Sequence, residues 1–173
     1  MKEIVLITGG VKSGKSSWAL EYAEKDTAAR AFIATATARD EDMAARIRAH
    51  QAERAQRWTT IEEPGAIAGL IETAAADYDV VLVDCLTLWV SNLLTLEELP
   101  RDEILQRCAE LAGVLERVRG RVLLVTNEVA MGIMPADALS RRYQELLGRL
   151  NSDIGRIADS VYLMVCGIPQ KIK

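Results

Sequence analysis

The stretch Gly9-Gly10-Val11-Lys12-Ser13-Gly14-Lys15-Ser16 fits the pattern G-x-x-x-x-G-K-[ST]. It is preceded by Ile4-Val5-Leu6-Ile7-Thr8, an apolar run rich in β-branched residues, and followed by Ser17 to Lys25, which reads as a helix. A strand, a glycine turn and a helix start, in that order, make a phosphate cradle. Glycines let successive backbone N–H groups turn inward, and the helix start adds its partial positive charge. Lys15 is then placed to reach the β- and γ-phosphates, and the Ser16 hydroxyl to ligate Mg²⁺. A glycine turn that merely caps a helix would need neither the lysine nor the hydroxyl.

Working outward, short apolar strands alternate with helices. Strands are expected at 31–36, 58–62, 78–84, 121–126 and 160–165, and helices at 41–54, 66–76, 85–96, 100–118 and 137–159. Leu86, Trp89, Val90, Leu93 and Leu94 form the expected buried stripe of the third of these helices. The fold expected is α/β, a three-layer P-loop NTPase sandwich with a mainly parallel sheet, in one domain over 1–173. Ligands of such sheets bind at the carboxyl ends of the strands. The glycine loop, Thr35, Asp84 and Asn127-Glu128 all fall at strand ends and are expected to converge on one crevice.

The chain is half hydrophobic, which suffices for a sizeable core, and its net charge of −4 argues against a dedicated nucleic-acid binder. Three separated cysteines have neither metal spacing nor a disulfide framework, as expected in a reducing cytoplasm. No leader is read before the first strand, and no apolar run is long enough to span a bilayer.

Asp84 closes the apolar run Val80-Val81-Leu82-Val83. It reads either as the acid that holds Mg²⁺ or as a cap of the following helix. His50, the only histidine, shares a helix face with Met43, Ile47 and Arg54. Packing at the edge of that face is one reading. Arg46, Arg48, Arg54 and Arg57 supply the other, because a cationic setting keeps an imidazole neutral and nucleophilic beside phosphates. Glu128 reads as a base, as a ligand of a second metal, or as ordinary loop chemistry.

Further stretches carry a family resemblance. Ile33-Ala34-Thr35-Ala36, then Asp42 to Ile47 and His50, Thr126-Asn127-Glu128-Val129 with Met131-Gly132-Ile133 and Pro135, Arg149-Leu150-Asn151, and Gly167-Ile168-Pro169 through Lys173 join the glycine loop in this. Together they resemble the bifunctional adenosylcobinamide kinase/adenosylcobinamide-phosphate guanylyltransferases of cobalamin biosynthesis, along essentially the whole chain. Lys12 stands where arginine is common, and Ala130 where glycine is expected.

The resemblance implies that ATP or GTP phosphorylates the aminopropanol hydroxyl of adenosylcobinamide. GMP then passes from GTP through a GMP–histidine intermediate to give adenosyl-GDP-cobinamide. It implies His50 as nucleophile with Lys15 as the catalytic cation. The implied nucleotide site comprises Gly9 to Ser16, Ala34, Thr35, Ala36, Gln51, Ala52, Glu53, Arg54, Glu62 and Asp84, with Ser16 and Asp84 on Mg²⁺. Glu62 pairs with guanine or with ribose; Asp84 and Glu128 are both candidates for the kinase base. A cytoplasmic homo-oligomer is implied, with a trimer as the candidate arrangement. Two other classes stand beside this reading. A P-loop small-molecule kinase would leave His50 without a covalent role. A nucleotide switch would need a guanine reader, and Glu128 after Asn127 does not open an Asn-Lys-x-Asp motif.

Overall fold

The computed structural model describes residues 2–25, 27–38, 41–54 and 57–173. Within 41–54 it describes the side chains of Glu41, Ala44, Ala45, Ile47, Arg48, Gln51 and Ala52. The chain runs β1 (Glu3–Gly9), α1 (Lys15–Glu24), β2 (Arg30–Ala34), α2 (Glu41–Arg54), β3 (Thr59–Glu62), α3 (Ile67–Asp77) and β4 (Val80–Asp84). It continues through α4 (Leu86–Thr95), α5 (Arg101–Arg117), β5 (Arg121–Val125), α6 (Ala138–Ile157), β6 (Ser160–Val165) and β7 (Ile168–Lys171).

The strands form one sheet in the order β3-β2-β4-β5-β1-β6-β7, parallel throughout except for β6 against β7. Successive side chains of a strand point to opposite faces, and the central strands are apolar on both. Ile4 and Leu6 of β1, Val81 and Val83 of β4, and Val122 and Leu124 of β5 join α3, α4, α5 and α6 in one core. Their alternates Val5, Ile7, Val80, Leu82, Leu123 and Val125 join Ala19, Leu20 and Ala23 of α1 in the other. The result is the expected three-layer sandwich. The stripe foreseen on α4 is buried in full, with Trp89 wholly enclosed and its indole N–H donating to Gly65 O at 2.6 Å. The helix expected over 41–54 is present as α2, yet none of its described side chains is buried.

Two departures bear on the site. β2 ends at Ala34 rather than at residue 36, because Thr35 turns away to bind the end of β4. The strand at 160–165 is also not the last. Cys166 and Gly167, both at positive φ, turn the chain back into β7, whose side chains are all exposed. β7 is short, carries Pro169 and lies at the sheet edge, where a missing N–H is tolerated. An exposed strand without apolar alternation leaves little signal in the sequence.

Candidate nucleotide site

The glycine loop joins β1 to α1 at the carboxyl edge of the sheet. Gly9 has φ 149°, and a Cβ there would meet Met164 O at 2.5 Å; Gly14 has φ 90° and lies against Gly167 of the β6–β7 turn. Gly167 N–H donates to Ser13 O at 3.0 Å, so the terminal hairpin braces the loop from outside. Gly14 is the N-cap of α1 and offers no capping side chain, which leaves the first-turn amides to a ligand.

Lys15 folds back over the loop. Its Nζ donates to Gly10 O at 2.6 Å and Gly9 O at 3.1 Å. Burial lowers its pKa; the nearby Cys85 and Asp84 act in the opposite direction. The same burial pushes the Cys85 thiol up to about 12, so this sulfur stays protonated.

A cavity of about 490 Å³ opens over this loop, within the usual range for small-molecule sites. Val11 to Ser16 and Asp84 line one part of it; Ala34, Ala36, Ile47, Gln51 and Glu62 line another. Gln51 Nε2 donates to Glu62 Oε1 at 3.3 Å, so α2 and the end of β3 meet there. Asn127 reaches the cavity from the end of β5, and Phe32, Thr87, Leu88 and Val125 supply further wall.

Three of the four groups expected to converge therefore do so: the glycine loop, Asp84 and Asn127. Thr35 is the exception. Its side chain is fully buried and bonded to Cys85, and it is not part of the cavity wall. Glu128 is also outside the wall; its N–H donates to Gly9 O at 3.2 Å, tying this segment to the glycine loop. Gly9 and Gly10 contribute through the carbonyls that hold Lys15, and Ala52 is exposed on α2. His50, Glu53 and Arg54 lie on α2, with side chains outside the described residues.

Sequence reasoning missed the polar side chains that hold the strand ends. Asn92 of α4 donates to Thr35 O at 2.8 Å and Pro64 O at 3.1 Å. Thr87 Oγ1 accepts from Asn127 N–H at 2.8 Å. Asn151 of α6 accepts from the Thr126 hydroxyl at 2.8 Å and donates to Asn127 O at 3.0 Å. For Thr87 and Asn92 the available signal was a polar residue within the otherwise apolar α4, since buried polar groups need partners.

Ser16 and Asp84 bring oxygen donors to the same cavity, a donor type suited to Mg²⁺. Among the described residues no cluster of His, Cys, Asp or Glu could hold a metal unaided.

A glycine loop opening a helix, a strand-end acid facing it and a parallel sheet beneath define a P-loop nucleotide-binding protein. The solved structure of a type III secretion system ATPase from pathogenic bacteria shares this fold, with a TM-score of 0.60 at 12% identity, over 93% of this chain and 50% of that one. The chain belongs to the family described as cobinamide kinase / cobinamide phosphate guanyltransferase, which it matches over residues 5–172. It is 40% identical to the bifunctional adenosylcobalamin biosynthesis protein CobP of Pseudomonas aeruginosa, across 97% of this chain and 96% of that one. It is 36% and 37% identical to the CobU proteins of the same description from Escherichia coli and Salmonella typhimurium, each across 98% of this chain and 99% of the relative.

Proposed function

We propose that this protein phosphorylates the aminopropanol hydroxyl of adenosylcobinamide with ATP or GTP and then transfers GMP from GTP to the new phosphate. The observation that carries the reading is the single cavity that unites the glycine loop and Asp84 with the Gln51–Glu62 pair. One region suits a triphosphate; the other offers hydrogen-bonding groups to a base or ribose.

In the kinase step the substrate hydroxyl oxygen attacks the γ-phosphorus, the bond to the β-phosphate oxygen breaks, and the hydroxyl proton passes to solvent water. Lys15 exchanges its contacts with Gly9 and Gly10 for phosphate oxygens, and the N-terminal amides of α1 hold the chain in line. Ser16 and Asp84 would hold Mg²⁺, which offsets charge on the phosphates when bound. In the second activity the His50 imidazole attacks the α-phosphorus of GTP and pyrophosphate departs. A phosphate oxygen of cobinamide phosphate then attacks the same phosphorus, the P–N bond breaks and the imidazole is restored.

We read the whole of 1–173 as one working unit in the cytoplasm; no described helix is long and apolar enough to cross a membrane. We also read it as a homo-oligomer, a trimer by family resemblance. Met131, Ile133 and Met134 support this by standing exposed on one short loop, Ile133 at 96%.

The test is incubation with α-labelled GTP, with the kinase reaction assayed alongside. Wild type is expected to take up an acid-labile label, as a phosphoramidate would. His50→Ala is expected to lose the label and the guanylyl transfer while it still phosphorylates cobinamide. A phosphorylating wild-type enzyme that never takes up the label would instead favour the kinase-only class. An unlabelled protein with slow corrinoid-independent hydrolysis would favour the switch class.

A further inference from the structure

Thr35 was expected to touch nucleotide, and its surroundings assign it different work. Ala34 and Ala36 line the cavity, whereas the Thr35 side chain between them is wholly buried on the side of β4. Its Oγ1 accepts from Cys85 N–H at 2.8 Å and donates to Cys85 O at 2.8 Å. Its backbone N–H donates to Asp84 O at 3.1 Å, and its carbonyl accepts from Asn92 Nδ2 at 2.8 Å. The hydrogen-bonding groups of this one residue are thus committed to residues 84 and 85 and to α4.

The paired register of β2 and β4 ends at Ala34 and Asp84, so the Thr35 hydroxyl takes over where the ladder stops. A hydroxyl can accept from an N–H and donate to a carbonyl at once. An apolar side chain of the same shape would leave both Cys85 backbone groups without that partner. Asp84 directly precedes those two groups, and it lines the cavity.

We propose that Thr35 is a positioning residue that holds the Asp84 carboxylate toward the triphosphate by fixing both backbone groups of Cys85. The proposal rests on the reading of Asp84 as a metal-holding acid. It acts through Asp84 and not through the nucleotide, so its loss should be felt by the metal first. Asn92 makes the arrangement continuous with the turn after β3, because it holds Thr35 O and Pro64 O together.

The experiment titrates Mn²⁺ in place of Mg²⁺ into the protein bound to a non-hydrolysable β,γ-imido GTP, with free Mn²⁺ read by electron paramagnetic resonance. Analogue affinity without metal is measured in parallel by calorimetry. Thr35→Val is expected to weaken Mn²⁺ binding by about tenfold, the usual scale for losing a group that orients a ligand. Metal-free affinity should change far less, and Thr35→Ser should restore the wild-type metal affinity. Thr35→Ala replaces the valine variant if that one does not fold. Equal losses with and without metal, or no restoration by serine, would mean a general structural role and overturn the proposal. Asp84→Asn separates the two levels. If it leaves Mn²⁺ binding intact, the metal reading of Asp84 falls and the proposal falls with it. If it weakens binding while the Thr35 variants do not, the proposal alone is overturned.

Discussion

Lys15 holds its ammonium on the carbonyls of Gly9 and Gly10, and burial lowers its pKa. A triphosphate reverses the balance, because a desolvated ammonium gains partners of full negative charge. Its pKa therefore rises on binding. Above the lowered value of the free site, binding must take up a proton, so affinity falls as pH increases through that value. Calorimetry at alkaline pH in two buffers of different ionisation enthalpy should detect this uptake, and Lys15→Ala should abolish it. The same variant should lose about 10- to 100-fold in triphosphate affinity, the scale of a charge-assisted hydrogen bond. Unchanged affinity would remove Lys15 from phosphate binding.

Among the elements, α4 ties the core to the site. Trp89 and its stripe anchor the helix, while Thr87 and Asn92 on the same helix hold the ends of β5 and β2. Trp89→Phe keeps most of the apolar bulk and removes the donor to Gly65 O. It should cost about 1–3 kcal/mol, the penalty for leaving a buried partner unsatisfied, read from urea unfolding midpoints at constant m-value. A change inside experimental error would mean that water replaces the indole N–H at Gly65. β7 makes the opposite contribution. It adds little core, yet its turn places Gly167 against Gly14 and thereby stiffens the phosphate loop.

For the whole molecule, the loop between β5 and α6 carries three of the exposed large hydrophobic side chains among the described residues. Met131, Ile133 and Met134 are exposed there without any charge among them. If self-association covers this loop, Ile133→Ser with Met134→Ser should shift the assembly toward monomer in light scattering after size exclusion. Secondary structure should be kept, since these side chains belong to neither core. An unchanged mass in the double variant would place the subunit contact elsewhere.

The layered α/β fold and much of the lining of the cavity over the glycine loop were legible in the sequence, because these are written in local patterns. Apolar runs with β-branched residues specify strands buried on both faces, and G-x-x-x-x-G-K-[ST] carries its own geometry in eight adjacent residues. Asp84 and Asn127 were legible because parallel strands deliver their carboxyl ends to one edge. Tertiary structure decided what depends on contacts between distant segments. It turned Thr35 from a presumed ligand contact into a brace for Cys85, fifty residues away in sequence. It joined Gln51 of α2 to Glu62 at the end of β3 on the cavity wall, and it returned the chain as β7 to support the phosphate loop. The physical reason is common to all three, the last through a backbone N–H in place of a side chain. A polar side chain states which bonds it can make, but only the fold brings forward the donor or acceptor that it finds.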